Sequence, residues 1–259
     1  MIELEGWRSP GRGVHETLHK QMYGIILFLK DQDKINNELW GPPLQRKIGS
    51  TIGVNEASTV RHIIGFMKSV GIIGEEALES RKVPDADKSI SESGNLLFSL
   101  IKLELVAMEN DNKELQQKVL RMLKHFYANA FIYWYARDSK VHVARTVLST
   151  IKKFGYIDKI EWFILNSFVT ETDDKQQEEL VENYINGYRA GDLKLSMQNV
   201  KKNINSYNYW TQILSYAGLI RKIDNKIYLG QEFPELVEAM LEKDFLLNLD
   251  VTKKYHLKM

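Results

Sequence analysis

The sequence predicts a mainly α-helical protein with small β-hairpins, built as tandem winged-helix modules joined by helical connectors. Apolar residues recur at three- and four-residue spacing through most of the 259 residues. The order helix, glycine, strand–turn–strand, helix occurs twice, once around residues 56–94 and again around 206–247. Charge is also uneven. Residues 158–192 hold nine acids against Lys159, Lys175 and Arg189, whereas 193–222 hold Lys194, Lys201, Lys202, Arg221 and Lys222 and no acid at all. Such segregation either sets an acidic surface beside a basic one or reflects two solvated helix faces.

Taken in order, residues 1–15 contain Gly6, Pro10, Gly11 and Gly13 with Trp7, Arg8 and Arg12. No helical or strand period survives there, so this is an N-terminal arm. It either lies along a groove or is tacked down with Trp7 as its anchor. The first winged-helix module spans 16–110. Leu18, Met22, Ile25, Ile26 and Leu29 make one helix, Leu44 to Thr51 a second. Asn55 is an N-cap for a third carrying Val60, Ile63, Ile64, Met67 and Val70. Gly71 stops that helix, Ile72–Ile73 begins a wing, and Ser89-Ile90 returns from it. A helical connector at 111–138 includes the aromatic run at 131–135, which is either core or a stacking platform.

The second winged-helix module, 139–259, starts with an amphipathic helix to Phe154. A helix bearing Trp162, Phe163 and Leu165 follows, then an acidic helix from 172 to 188. The run 193–205 reads as a connecting helix and 206–217 as an amphipathic one. A hairpin turning at Asp224-Asn225 comes next. Pro234 opens a final helix to about residue 247.

Composition narrows the function classes. A 44% hydrophobic and 27% charged chain is an ordinary globular one. It has no run of about eighteen apolar residues and no signal-peptide pattern, so no membrane partner and a cytoplasmic location are expected. With no cysteine, disulfides, thiolate metal sites and cysteine nucleophiles are excluded. The net charge of +1 means that any basic face is local.

Two patterns carry possible chemistry. His15-Glu16-Thr17-Leu18-His19 matches H-E-x-x-H, in which two histidines one turn apart hold zinc and the glutamate acts as base. That would make a zinc metallopeptidase, but Met22 and Ile25 stand where the extended pattern needs glycine and histidine. Pro84-Asp85 with Asp111-x-Lys113 has the letters of a Mg²⁺ nuclease. Asp173-x-Lys175 and Asp224-x-Lys226 match as well, so the triplet singles out no active site. No catalytic and no metal-binding residues are assigned.

Three stretches resemble the DNA-recognition domain of type IIS restriction endonucleases (FokI/AlwI-like, including nicking relatives). They are Gly6-Trp7-x-x-Pro10-Gly11; the string MKSVGII…ISESGNLL; and LSTIKKFGYIDKIEWFIL…VENYINGYR…YWTQILSYAGLIRKIDNKIYL, with its acidic helix ending in Tyr188-Arg189. The resemblance implies recognition of double-stranded DNA with an asymmetric site. It also implies cleavage by a separate nuclease domain or subunit, where Mg²⁺ would act, and no cofactor in this chain.

The expected DNA-binding residues divide by chemistry. Arg46, Lys47, Lys201, Lys202 and Arg221 suit phosphates. Ser58, Thr59, Arg61, Asn205 and Asn208 suit base edges. Trp7, Arg8, Arg12, Asn55, His62, Asn203 and Tyr207 complete the set. The alternative within the binding class is a replication initiator or transcription regulator, which would take palindromes or repeats as a dimer. A protein-interaction scaffold, with the basic stretch as a solvated face, is a further class.

Overall fold

The computed structural model describes residues 2–9, 11–74, 77–132 and 140–247. The expected stacking residues Tyr133, Trp134 and Tyr135 lie outside these, while Phe131 at the head of that run is buried. The chain is mainly helical, with a few short strands. It divides into two compact units, Pro10–Ala130 and Phe131–Met259 together with Met1–Ser9. The first nine residues thus pack with the C-terminal unit, and the expected arm is split between the two.

In the unit Pro10–Ala130, helix α1 (Glu16–Lys30) is the hub. Leu18, Met22, Ile25, Ile26, Phe28 and Leu29 are buried along it, a wide apolar stripe of the kind that drives tertiary packing. Around it pack α2 (Gln32–Ile35), α3 (Pro42–Thr51), α4 (Ala57–Ser69), α5 (Ala86–Ser89) and α6 (Glu92–Glu109). Helix α7 (Lys113–Ile132) follows. Helices α3 and α4 form a tight pair through a turn at Gly53, whose φ is +73°. A Cβ at Gly49 would stand 2.7 Å from the carbonyl oxygen of Val54, so backbone passes too close there for any side chain.

Two expectations in this unit are corrected. The cap of α4 is Glu56, not Asn55, and it makes no side-chain capping bond. Among the described residues the wing reduces to a single antiparallel bridge, Ile73 to Ile90. Residues that would extend it are used otherwise: Leu78 and Arg81 have φ near +60°, breaking an extended path, and Arg81 and Lys82 exchange backbone bonds with Trp40.

The C-terminal unit is built around α9 (Lys159–Phe168). Every residue from Ile160 to Asn166 is buried, because α10 (Lys175–Ala190), α11 (Ser206–Tyr216) and strand β1 (Leu4–Glu5) all pack on it. A helix apolar on nearly all sides is a buried helix. Its two polar core residues are both bonded. Glu161, only 1% exposed, pairs with Arg189 Nε at 2.5 Å and accepts from the Asp158 backbone N–H at 2.7 Å. Asn166 Oδ1 accepts from the Trp7 backbone N–H at 2.7 Å.

The expected connecting helix at 193–205 is instead extended chain. A 3-10 turn at Met197–Asn199 leads into β2 (Val200–Lys202), which pairs in parallel with β1. Side chains enforce this path. Asn199 caps back onto Ser196 and also donates to the Ile2 carbonyl, while Asn203 donates to the Gly6 carbonyl. Asn203 itself sits at φ +50°, which a helix cannot continue through.

The hairpin forms as expected. Strands β3 (Ile220–Ile223) and β4 (Lys226–Leu229) pair antiparallel. Asp224 and Asn225 both have positive φ, the conformation a two-residue hairpin turn demands. Ile157, between α8 (Val143–Phe154) and α9, bridges antiparallel to Ile227 of β4. Helix α12 (Pro234–Leu241) ends before residue 247, because buried Arg145 takes the Met240 and Glu242 carbonyls with one nitrogen.

Two expectations follow. Trp7→Ala should cost about 3 kcal/mol in urea unfolding, the scale for a buried tryptophan, where a loose arm would give no change. Arg189→Ala should cost a similar amount, about 3 kcal/mol, since it strands a buried carboxylate. A loss below about 1 kcal/mol would mean Glu161 finds another partner or a proton.

Candidate nucleic-acid interface

The C-terminal unit carries one shallow groove of about 400 Å³ lined by Asp158, Lys159, Ile160, Tyr207, Asn208, Lys222 and Asn225. Three elements deliver these side chains. Asp158 and Lys159 open α9, Tyr207 and Asn208 lie on the first turn of α11, and Lys222 and Asn225 belong to the hairpin. Tyr207 is 2% exposed and its ring packs edge-on against Trp162 at 5.9 Å. The ammonium groups of Lys159 and Lys222 stand 5.6 and 5.0 Å from that ring's centre. Lys222 faces the same side of the sheet as its cross-strand partner Ile227, which is buried, so its stem runs along apolar surface before the head emerges.

Among the described residues neither lysine is in an ion pair. Asp158 is committed elsewhere: one carboxylate oxygen accepts from the Ile160 and Glu161 N–H groups, and the other accepts from the Tyr188 hydroxyl at 3.2 Å. Burial, then the Asp158 charge, hold the Tyr207 phenol above its ordinary ionisation range, and its hydroxyl has no hydrogen-bond partner.

Beside the groove, Asn205 and Asn208 are exposed on α11 together with Gln212. Arg221 is exposed on β3, its guanidinium 5.5 Å from the Tyr228 ring, and Lys226 sits 4.0 Å from the Tyr156 ring. Such contacts hold cationic heads in place without cancelling their charge. The other expected residues here have structural work. Lys202 lies 3.3 Å from Glu5, Lys201 donates to the Gln198 carbonyl, and Asn203 ties the N-terminal strand. Trp7 is buried, with its indole N–H bonded to the Val169 carbonyl, so it is the anchor of the terminus and presents no ring for a groove. Arg8 is exposed.

The unit Pro10–Ala130 presents a second polar face on α4. Arg61, His62, Gly65 and Ser69 are exposed, Ser58 and Thr59 half-buried, and Asn55 lies exposed just ahead of the helix. Ser58 donates to Glu56. On α3, Arg46 is exposed, whereas Lys47 pairs with Glu38 at 2.6 Å. Arg12 is half-buried.

The H-E-x-x-H residues are occupied by the fold. His15 caps α1, its ring nitrogen accepting from the Leu18 N–H. His19 is 1% exposed, with one ring nitrogen 2.8 Å from Glu104 and the other 3.2 Å from the Tyr127 hydroxyl. Among the described residues no three His, Asp or Glu side chains gather as a metal site. Asp111 and Lys113 of the nuclease-like triplet pair with each other in the open. No helix among the described residues is long and apolar enough to cross a membrane.

Sequence reasoning did not assign Lys159, Lys222 or Asn225 to the interface. The alternation of β3 was the available signal: Arg221 and Lys222 point to opposite sides of a strand, so one of them had to face α11. No protein-family model matches the chain, and no curated protein matches it.

The Asp158 cluster has a measurable alkaline signature. Tyr188, desolvated, close to Asp158 and donating to it, has its ionisation pushed up to about 12. An unfolded tyrosine ionises near 10, so the folded state holds the proton longer. Its contribution is complete below that value and is lost as pH rises towards 12. Tyr188→Phe should flatten the decline in unfolding free energy across that window. An unchanged slope would mean Tyr188 ionises freely.

Proposed function

We propose that this chain binds duplex DNA in a sequence-dependent way, with the α11 and hairpin face of the C-terminal unit as its main reader. The observation that carries this is the placement of exposed amides on α11 and at its N-cap beside cations that form no ion pair among the described residues. Amide side chains pair with base edges, and unpaired cations pair with phosphates. Asn205 and Gln212 would take the first role, and Lys159, Arg221, Lys222 and Lys226 the second.

The order of elements supports a winged-helix reading of this unit. Helix α8, the Ile157 bridge, α9, α11, β3 and β4 follow in turn, with β4 lying between Ile157 and β3. In that reading α11 enters the major groove and the Asp224-Asn225 turn is the wing. Helix α10 and strand β2 are an insertion before α11. In the other unit, the tight α3–α4 pair supports a second reading helix, with Arg61 and His62 on its outer face. As the resemblance implies, we take the chain as the target-recognition part of a type IIS-like restriction endonuclease whose cleavage chemistry lies elsewhere.

Selection from a random duplex library at near-physiological salt tests this directly. We expect one asymmetric site; a palindrome or repeat would favour an initiator or regulator, and no enrichment would remove the reading. Within the selected site, Gln212→Ala should relax preference at one position, by about 1–3 kcal/mol. Arg221→Gln should weaken all sequences alike. Equal effects of both on preference would defeat this division of roles.

A further inference from the structure

Within that face the groove between α9, α11 and the hairpin has features a general basic surface does not need. Two lysines from different elements converge on one buried aromatic ring, at 5.6 and 5.0 Å from its centre. Among the described residues neither lysine forms an ion pair. Asp158, the one acid lining the groove, spends its oxygens on two backbone N–H groups and the Tyr188 hydroxyl. Two neutral amide side chains, Asn208 and Asn225, also line the groove. The Tyr207 hydroxyl is buried without a hydrogen-bond partner, an arrangement that is unfavourable when nothing compensates it. A single compact anion with several acceptor oxygens would give both lysines a counter-charge and the amides and the phenol an acceptor.

We infer that this groove is the seat of one phosphate group, shared by Lys159 and Lys222, with the amides of Asn208 and Asn225 and the Tyr207 hydroxyl as further donors. A backbone phosphodiester offers acceptor oxygens only, which suits the two ammonium groups, the two amide N–H groups and the phenol; Asp158, the acid of the lining, bonds its own helix cap and Tyr188. Burial and the nearby carboxylate keep the phenol protonated, and so able to donate. The identity of the phosphate as a backbone diester rests on the duplex-DNA reading; the seat itself does not. On the DNA, such a seat would fix the register of α11 against the strand, because it links the helix that reads bases to the hairpin beside it.

The test has two arms on the full chain. In the first, inorganic phosphate is titrated against a chloride control of equal ionic strength while the Asn208 and Asn225 side-chain amides are followed by NMR. Both amides should shift, and Lys159→Gln/Lys222→Gln together should abolish the response. Tyr207→Phe should weaken phosphate binding by roughly threefold to tenfold, the worth of one hydrogen bond, with an unchanged or higher melting temperature. A lower melting temperature would mean the hydroxyl is already bonded in the free protein and would take it out of the seat.

In the second arm, binding of an unphosphorylated-end duplex is measured against salt. One shared phosphate predicts that the double variant lowers the log–log slope by about 0.9. A fall of about 1.8 would mean two separate phosphates and overturn the sharing. No amide shift and an unchanged slope would overturn the seat while leaving duplex binding intact. Phosphate binding without any duplex binding would leave the seat standing and overturn the DNA reading.

Discussion

The buried ion pair between Glu161 and Arg189 is the constraint on which the C-terminal unit depends. Glu161 lies inside α9, on which α10, α11 and β1 all pack, and a carboxylate there is tolerable only if its charge is met. Arg189 does more than meet it. Its remaining nitrogens bond the Phe154 and Tyr156 carbonyls at the end of α8, so one guanidinium fastens α8, α9 and α10 together. Tyr188, the preceding residue, bonds the Asp158 cap of α9. Two adjacent residues near the end of α10 therefore set where α9 begins, and hence where Lys159 stands.

From that core the N-terminal strand follows. Asn166, one turn and a half along α9 from Glu161, accepts from both the Trp7 backbone and the Ser206 hydroxyl. It joins the first residues of the chain to the start of α11. The loop-closure cost of bringing positions so distant in sequence together is offset by burial of Leu4 and Trp7 and by pairing of β1 with β2. The acids of 158–192 are drawn into the same framework. Asp158 and Asp174 cap helices, while Glu161, Glu171, Asp173 and Glu182 pair with Arg189, Lys140, Arg145 and Lys153. Much of the negative stretch is thus spent on internal structure rather than on a repelling surface.

The groove shows the opposite economy. The buried acids of this unit are met within a few ångströms, yet among the described residues Lys159 and Lys222 stand near one ring with no ion pair. Natural proteins violate local rules of this kind mainly where function requires it. The stability lost by leaving two cations and a phenol unmatched is small beside the burial of α9, and the fold tolerates it.

The sequence by itself determined most of the helices, the Asp224-Asn225 hairpin and the apolar stripe of α1, because these rest on contacts a few residues apart. Periodicity, caps and turn chemistry are local, and local physics is written locally. Tertiary structure alone decided the rest. Residues 193–205 have enough apolar spacing for a helix, but distant partners at Ile2 and Gly6 draw them into a strand. Trp7 could be read as a groove residue or as an anchor, and packing decides for the anchor: it is a core residue of a unit that resumes more than a hundred positions later. His15 and His19 matched a metal motif, yet their ring nitrogens go to a helix cap, Glu104 and Tyr127. The groove was legible only in part. Asn208 and Tyr207 could be read from α11, whereas Lys159 and Lys222 join them only once α9 and the hairpin pack against that helix. Convergence of side chains from three elements is a property of packing, and no single stretch of the chain encodes it.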